Sequence, residues 1–193
     1  MAIRVDRQTI RALLPEVDLI QDRVLAEAVL DIWVEVAAEC PWERLEDVPK
    51  NTTDEKDRPL LTHVRGVTRM AVALAQVAEE LYGLRVNRDH LVAACLLHDA
   101  SKPLEYAPGE DRQPAKSHLG KSLQHGVYAA HKILQKRLPL DLAHLVVTHT
   151  HESNVRTETV EGALLFYADF ADTDVHLCRR GRKPFVARWH LPG

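Results

Sequence analysis

Cysteine is scarce in this chain. Cys40, Cys95 and Cys178 lie far apart and form no CxxC pair. They are expected to be buried thiols in a reducing compartment, not a disulfide framework. Long apolar runs are missing too, so no bilayer-spanning helix is expected. The start, Met1-Ala2-Ile3-Arg4-Val5-Asp6, has no apolar stretch of the secretory type. There is no basic excess: the formal net charge is −3, which argues against nucleic acid as the main partner. Strand signals are few, and neither an internal repeat nor a low-complexity tract is found. A soluble cytoplasmic protein is expected. What remains is ordinary globular composition, 46% hydrophobic and 27% charged over 193 residues, enough for one domain with a core. The unusual number is 11 histidines. Histidine is the commonest metal ligand and the usual acid or base, and here it is spread through the chain.

Alanine–leucine helical patterns dominate. Residues 9–14 suggest a short helix stopped by Pro15. Residues 21–40 form a clear amphipathic pattern, with Leu25, Val29, Ile32, Trp33 and Val36 on the apolar stripe. Residues 41–59 are polar and are expected as a surface loop. The next helix is expected to start near Thr62 as N-cap and to stop at Gly83. Its inward face would carry Val67, Met70, Ala71, Leu74, Val77, Ala78 and Leu81, with His63 one turn before Val67. Asn87 is a cap for a helix over 88–98, and Pro103 forbids its continuation. Residues 103–117 read as a long loop, either a lid-like wall beside a site or a plain surface excursion. A further helix is expected over 119–138, with His125, Ala129 and Ile133 four apart. Gly126 beside His125 would allow close approach by a helix or a ligand. Pro139 suits the first position of a helix over 140–149, in which His149 lies inward and His144 and His151 do not. The last strong helix spans 157–175, with Leu165, Phe166 and Asp169 on one face and Asp172 and Asp174 expected at the rim. The tail carries Arg179, Arg180, Arg182, Lys183 and Arg188 with Phe185 and Trp189. It is expected to be solvated, to dock on a second subunit, or to add charge near a phosphate site.

A lone inward histidine is more often a hydrogen-bonded core residue than a ligand. Here the pattern repeats. His63, His98 followed by Asp99, His125, His149 and Asp169 all fall on apolar faces. A carboxylate on a buried stripe is costly unless it is paired or metal-bound. Nitrogen and oxygen donors of this kind suit Fe, Mn, Zn and similar divalent ions. Six ligands are too many for one ion that keeps open positions. They fit two ions, with Asp99 shared.

The order His63…His98-Asp99…Asp169, with His98-Asp99-Ala100-Ser101-Lys102 in place of the frequent His-Asp-Ile-Gly-Lys, resembles the HD-domain metal-dependent phosphohydrolase superfamily. The resemblance covers about 61–174. It implies an all-α HD-domain bundle, with an additional N-terminal helical segment in this chain. The expected division is 1–60 as that segment, packed on the same domain, 61–176 as the HD domain and 177–193 as a basic tail. His63, His98, Asp99 and Asp169 match the ligands of the family's first metal. His125 in His125-Gly126 and His149 in Thr148-His149-Thr150 are similar to the extra ligands of its two-metal branch. Lys102 matches a lysine that faces phosphate. The Gly-Tyr-Pro signature of cyclic-di-GMP enzymes is absent.

The resemblance implies hydrolysis of a nucleotide or another small phosphate ester, as mono- or diesterase. The cofactor would be two divalent ions, Fe or Mn first, with Zn, Co, Ni or Mg as alternatives. Two ions roughly 3.5–4 Å apart lower the pKa of a shared water. Asp99 would bridge them and Lys102 would neutralise charge on the phosphoryl oxygens. His118, beside the 103–117 loop, is a further substrate-binding candidate. Two alternatives stand beside this one: an HD-type di-iron oxygenase with the same six ligands, and a non-catalytic HD sensor or interaction domain. A homo-oligomer is left open.

Overall fold

The computed structural model describes residues 5–150 and 153–188. The order of elements is α1 (Arg7–Leu13), α2 (Arg23–Glu39), α3 (Leu60–Tyr82), α4 (Arg88–Leu97), α5 (Lys102–Glu105), β1 (Tyr106–Pro108), β2 (Pro114–Lys116), α6 (His118–Ser122), α7 (Val127–Gln135), α8 (Leu140–Thr148) and α9 (Val160–Arg179). The class is all-α, as expected; the strands form one antiparallel hairpin with Ala107 opposite Ala115. Among the described residues no helix is long and apolar enough to cross a membrane.

α4 is the axis. Every residue from Leu91 to Leu97 is buried, the mark of a helix that is covered on all sides. The side chain of Asn87 caps it by accepting the N–H of His90. α2, α3, α8 and α9 pack around it. The N-terminal segment joins the same core: Ile10, Leu14, Val17 and Trp33 cluster with Val64, Leu96 and Leu165. Burying each such side chain contributes about 1.5–3 kcal/mol. Two polar links fix the register. Trp33 Nε1 donates to the Leu96 carbonyl at 3.0 Å, and the Asp89 carboxylate accepts the N–H groups of Gln21 and Asp22, both at 2.8 Å.

Several elements differ from the sequence expectations. α3 starts at Leu60 with Pro59 as N-cap, not at Thr62. The Leu60 N–H is taken by Val48 O at 2.8 Å, and a bridge pairs Pro49 with Pro59. Leu74, Val77 and Leu81 are exposed, because α3 packs through the smaller Ala71, Ala75 and Ala78. Residues 41–59 are not a plain surface loop: Lys50, Glu55 and Arg58 are buried. Cys178 is exposed, unlike Cys40 and Cys95.

Pro103 does not simply stop the chain. It occupies the first turn of α5, where its missing N–H costs nothing. The expected 119–138 helix is broken into α6, which ends at the extended Leu123, and α7, which starts after Gly126 at φ 83, a left-handed conformation that glycine takes without strain. A Cβ at Gly126 would lie 3.0 Å from the Val146 carbonyl, so the glycine does admit a helix, α8. α9 starts at Val160 under a Thr159 cap rather than at Thr157.

Candidate metal centre

The ends of four helices meet the middle of a fifth to build the centre. His63 sits in the first turn of α3, and His98 and Asp99 follow the last turn of α4. His125 precedes the Gly126 break, His149 closes α8, and Asp169 lies midway along α9. His63, His98, Asp99 and His149 are almost fully buried. Three groups of donor atoms lie close enough to share an ion: His63, His98 and Asp99; His98, His149 and Asp169; and Asp99, His125 and His149. Asp99 divides its oxygens between two sides. Its Oδ2 is 3.2 Å from His63 Nε2 and 3.4 Å from His98 Nε2, while its Oδ1 is 2.8 Å from His125 Nε2 and 3.9 Å from His149 Nε2.

The far nitrogen of each ring is engaged by the protein. His98 Nδ1 is 2.7 Å from the Cys95 carbonyl and His149 Nδ1 is 2.5 Å from the Val146 carbonyl. A carbonyl only accepts, so both rings carry the proton on Nδ1. His63 Nδ1 is 2.6 Å from Asp172 Oδ2, and His125 Nδ1 is 2.9 Å from both oxygens of Glu105. Carboxylate or carbonyl partners of this kind orient metal-ligating histidines. Their effect is to aim the Nε2 lone pairs inward. His63 Nε2 and His98 Nε2 are then 3.2 Å apart, and His63 Nε2 is 3.2 Å from Asp169 Oδ1. Asp169 Oδ1 is itself buried and has no hydrogen-bond partner among the described residues. Lone pairs converging at this distance repel unless a cation or a proton sits among them. The donor set therefore fits a divalent metal.

Electrostatics follow the same pattern. Burial alone would raise the Asp99 carboxyl, but Lys102, His98, Lys50 and His125 hold it well below the usual carboxylate range. Asp169 is likewise held low against its burial, by Lys50, His63 and His98. Both remain ionised. Burial lowers the His149 imidazole to about 3, helped by its neighbours His98 and His125, so it is neutral. His125 runs the other way: despite burial, Glu105 and Asp99 raise it to about 9. Lys102, whose Nζ is 2.7 Å from Asp99 Oδ2, is kept cationic by that carboxylate against its burial.

Sequence reasoning missed four residues here. Asp172, expected at the rim, is buried and joins His63 to Arg58, whose Nη2 is 2.5 Å from its Oδ2. Its signal was spacing: it lies three residues beyond Asp169 on the same helix face. Arg58 also pairs with Glu55 at 2.9 Å. Glu105 holds His125 and accepts from Ser101 Oγ at 2.5 Å. Lys50 Nζ lies 3.7 Å from both Asp99 Oδ2 and Asp169 Oδ1. Gly66 on α3 makes room for this layer, since a Cβ there would fall 2.2 Å from Asp172 Oδ1. Asp172→Asn is expected to weaken metal uptake by roughly 10–100-fold, because the amide is a poorer partner for the His63 imidazole. A calorimetric metal titration with unchanged affinity would remove Asp172 from the centre.

The centre opens into a cavity of about 260 Å³ whose walls include Lys50, Lys102, Lys116, Tyr106, Phe170 and Phe185. His118 starts α6, is exposed and is not among the lining residues. His151 and Trp189 lie outside the described residues. The basic tail is not merely solvated. Arg180 pairs with Asp57, and Arg182 and Arg188 with Asp54. Asp174, also expected at the rim, accepts the backbone N–H groups of Phe185 and Val186, at 2.5 and 3.0 Å.

Comparison with known proteins gives the family. A dihydroneopterin 2',3'-cyclic phosphate phosphodiesterase of Methanocaldococcus jannaschii is 34% identical over 118 residues, which cover 61% of this chain and 47% of that protein. The chain thus spans about half the length of the curated relative it matches. No solved structure gives a significant match. The sequence profile of the HD domain matches residues 60–174, the stretch that carries all six candidate ligands, and the chain belongs to the HD domain family.

Proposed function

We propose that this protein is a metal-dependent phosphohydrolase that holds two divalent ions and hydrolyses a small phosphate ester. The observation that supports it best is the division of Asp99. Its Oδ2 turns toward His63 and His98 and its Oδ1 toward His125 and His149, as a carboxylate shared by two ions would. His63, His98, Asp99 and Asp169 would hold one ion, and Asp99, His125 and His149 the other. Fe and Mn are the first candidates, with Zn, Co, Ni or Mg as alternatives, since mixed imidazole and carboxylate donors suit ions of this kind. When bound, such ions lower the pKa of water and polarise phosphoryl oxygens.

The chain's own groups do the rest. Asp172, Glu105 and two backbone carbonyls keep the imidazoles aimed at the centre. Asp99 stays ionised through Lys102 and its other cationic neighbours. Lys102 faces the cavity and places an ammonium where charge gathers on the phosphoryl group. The relative in M. jannaschii is named for a cyclic phosphate diester, so a 2',3'-cyclic phosphate is the first substrate to test, and mono- and diesters of nucleotides follow. In this reading the protein works in the cytoplasm on a small phosphorylated molecule, with neither membrane nor nucleic acid as partner.

The test is metal content by mass spectrometry of protein purified without chelator, followed by an anaerobic phosphate-ester screen. About two equivalents per chain and turnover without oxygen are expected. Oxygen consumption with no ester hydrolysis would move the centre to oxygenase chemistry. A folded protein that takes up no metal would leave a sensor or interaction domain.

A further inference from the structure

Two segments outside the HD match meet at the mouth of the cavity. One is the loop that carries Lys50. Its base is closed by the Lys50 N–H donating to Arg58 O and the Leu60 N–H to Val48 O, both at 2.8 Å. Its turn is set by Asn51 Oδ1, which accepts the N–H groups of Thr53 and Glu55. The other is the tail that carries Phe185. Single exposed ion pairs contribute little. Here Arg180, Arg182 and Arg188 all reach Asp57 or Asp54, and Asp174 fixes the Phe185 backbone. The Phe185 ring meets Phe170 edge-on, with centroids 5.6 Å apart, and Phe170 packs on Phe166 at 4.6 Å. The loop and the tail form one clasp.

The two lysines facing the centre differ. Lys102 is hydrogen-bonded to Asp99. The Lys50 side chain is only 11% exposed, yet among the described residues its nearest carboxylate oxygens are 3.7 Å away, beyond a hydrogen bond. A buried ammonium held short of its partners has donors to give. Lys50, Lys102, Phe170 and Phe185 line the same cavity.

We infer that the clasp is the specificity element of this site, with Lys50 donating to a phosphoryl oxygen of the substrate and Phe185, beside Phe170, packing against a planar aromatic ring on the leaving group. This rests on the phosphohydrolase reading and narrows it to esters that carry such a ring. A ring against an aromatic wall gains sequence-tolerant stacking energy, and a phosphate gains a charge-assisted hydrogen bond.

The experiment uses full-length, metal-loaded protein and two variants, each checked for metal content and thermal unfolding. Inorganic phosphate binding is read by calorimetry. Lys50→Met is expected to weaken it about tenfold with metal content unchanged, and Phe185→Ala to leave it alone. Kinetics then compare adenosine 5'-phosphate with ribose 5-phosphate, and adenosine 2',3'-cyclic phosphate with ethylene cyclic phosphate. Phe185→Ala is expected to raise KM about tenfold for the ring-bearing member of each pair only, with kcat kept and Phe185→Trp restoring it. Unchanged phosphate binding in Lys50→Met, or an equal KM change with and without the ring, overturns the inference while leaving the hydrolase intact. Wild-type protein that hydrolyses no ester and binds no phosphate overturns both.

Discussion

Asp99→Asn is expected to empty the centre and to lower phosphate-ester turnover by roughly a thousandfold or more, with the helical circular dichroism retained. The substitution keeps the shape and removes the charge. Each Asp99 oxygen faces a different pair of imidazoles, so in the proposed two-ion centre a single change would remove a charged ligand from both ions. Asp99 is also the counter-charge of Lys102 and a near neighbour of Lys50. Breaking a buried ion pair from one side costs about 3–5 kcal/mol. The variant's melting temperature should therefore fall below that of the chelator-treated wild type, which separates the charge effect from the loss of metal. Wild-type metal content and turnover in Asp99→Asn would refute the shared-ligand assignment.

Metal uptake should depend steeply on pH, and the direction follows from His125. Its imidazole is raised from 6.5 to about 9 by Glu105 and Asp99 against the opposing effect of burial. In chelator-treated protein near neutral pH, His125 thus holds a proton that an incoming ion must displace. Apparent affinity on that side should rise about tenfold per pH unit between the two values. His149, lowered to about 3, adds no such slope. Folding stability runs in the opposite sense. A raised imidazole stabilises the native state fully below its unfolded value of 6.5, and that contribution is lost as pH climbs through about 9. Metal-stripped protein should lose melting temperature over this window, and loaded protein should not, since metal replaces the proton. Calorimetry in buffers of different ionisation enthalpy counts the protons released. A pH-independent affinity with no proton release would show that His125 is not a ligand.

The helices were legible because their apolar residues recur at helical spacing, and the inward positions of His63, His98, His149 and Asp169 came from the same periodicity. His125 was found for a partly mistaken reason. It was placed on a continuous helix with Ala129 and Ile133, whereas it precedes the Gly126 turn that starts α7. The left-handed glycine carries the chain so that the ring still reaches Asp99. Leu74, Val77 and Leu81 misled in the other direction. Their spacing is apolar, but alanines set the packed face of α3, so close helix approach outweighed side-chain hydrophobicity. Lys50 and Glu105 could not be read at all. Lys50 lies outside regular secondary structure and Glu105 closes a single four-residue turn, where no period says which way a side chain points, and only the tertiary path brings them to the centre.

The layer behind His63 bears on the order of events in folding. His63 meets Asp172 across 109 positions and Arg58 meets it across 114. Contacts so distant in sequence form late, because loop closure must be achieved before they are rewarded. During synthesis the stretch up to Asp99 presents His63, His98 and Asp99, but neither the carboxylates of α9 nor the His149 ring. A nascent chain therefore cannot assemble the complete donor set before α9 is made, and the full centre is a property of the finished bundle alone.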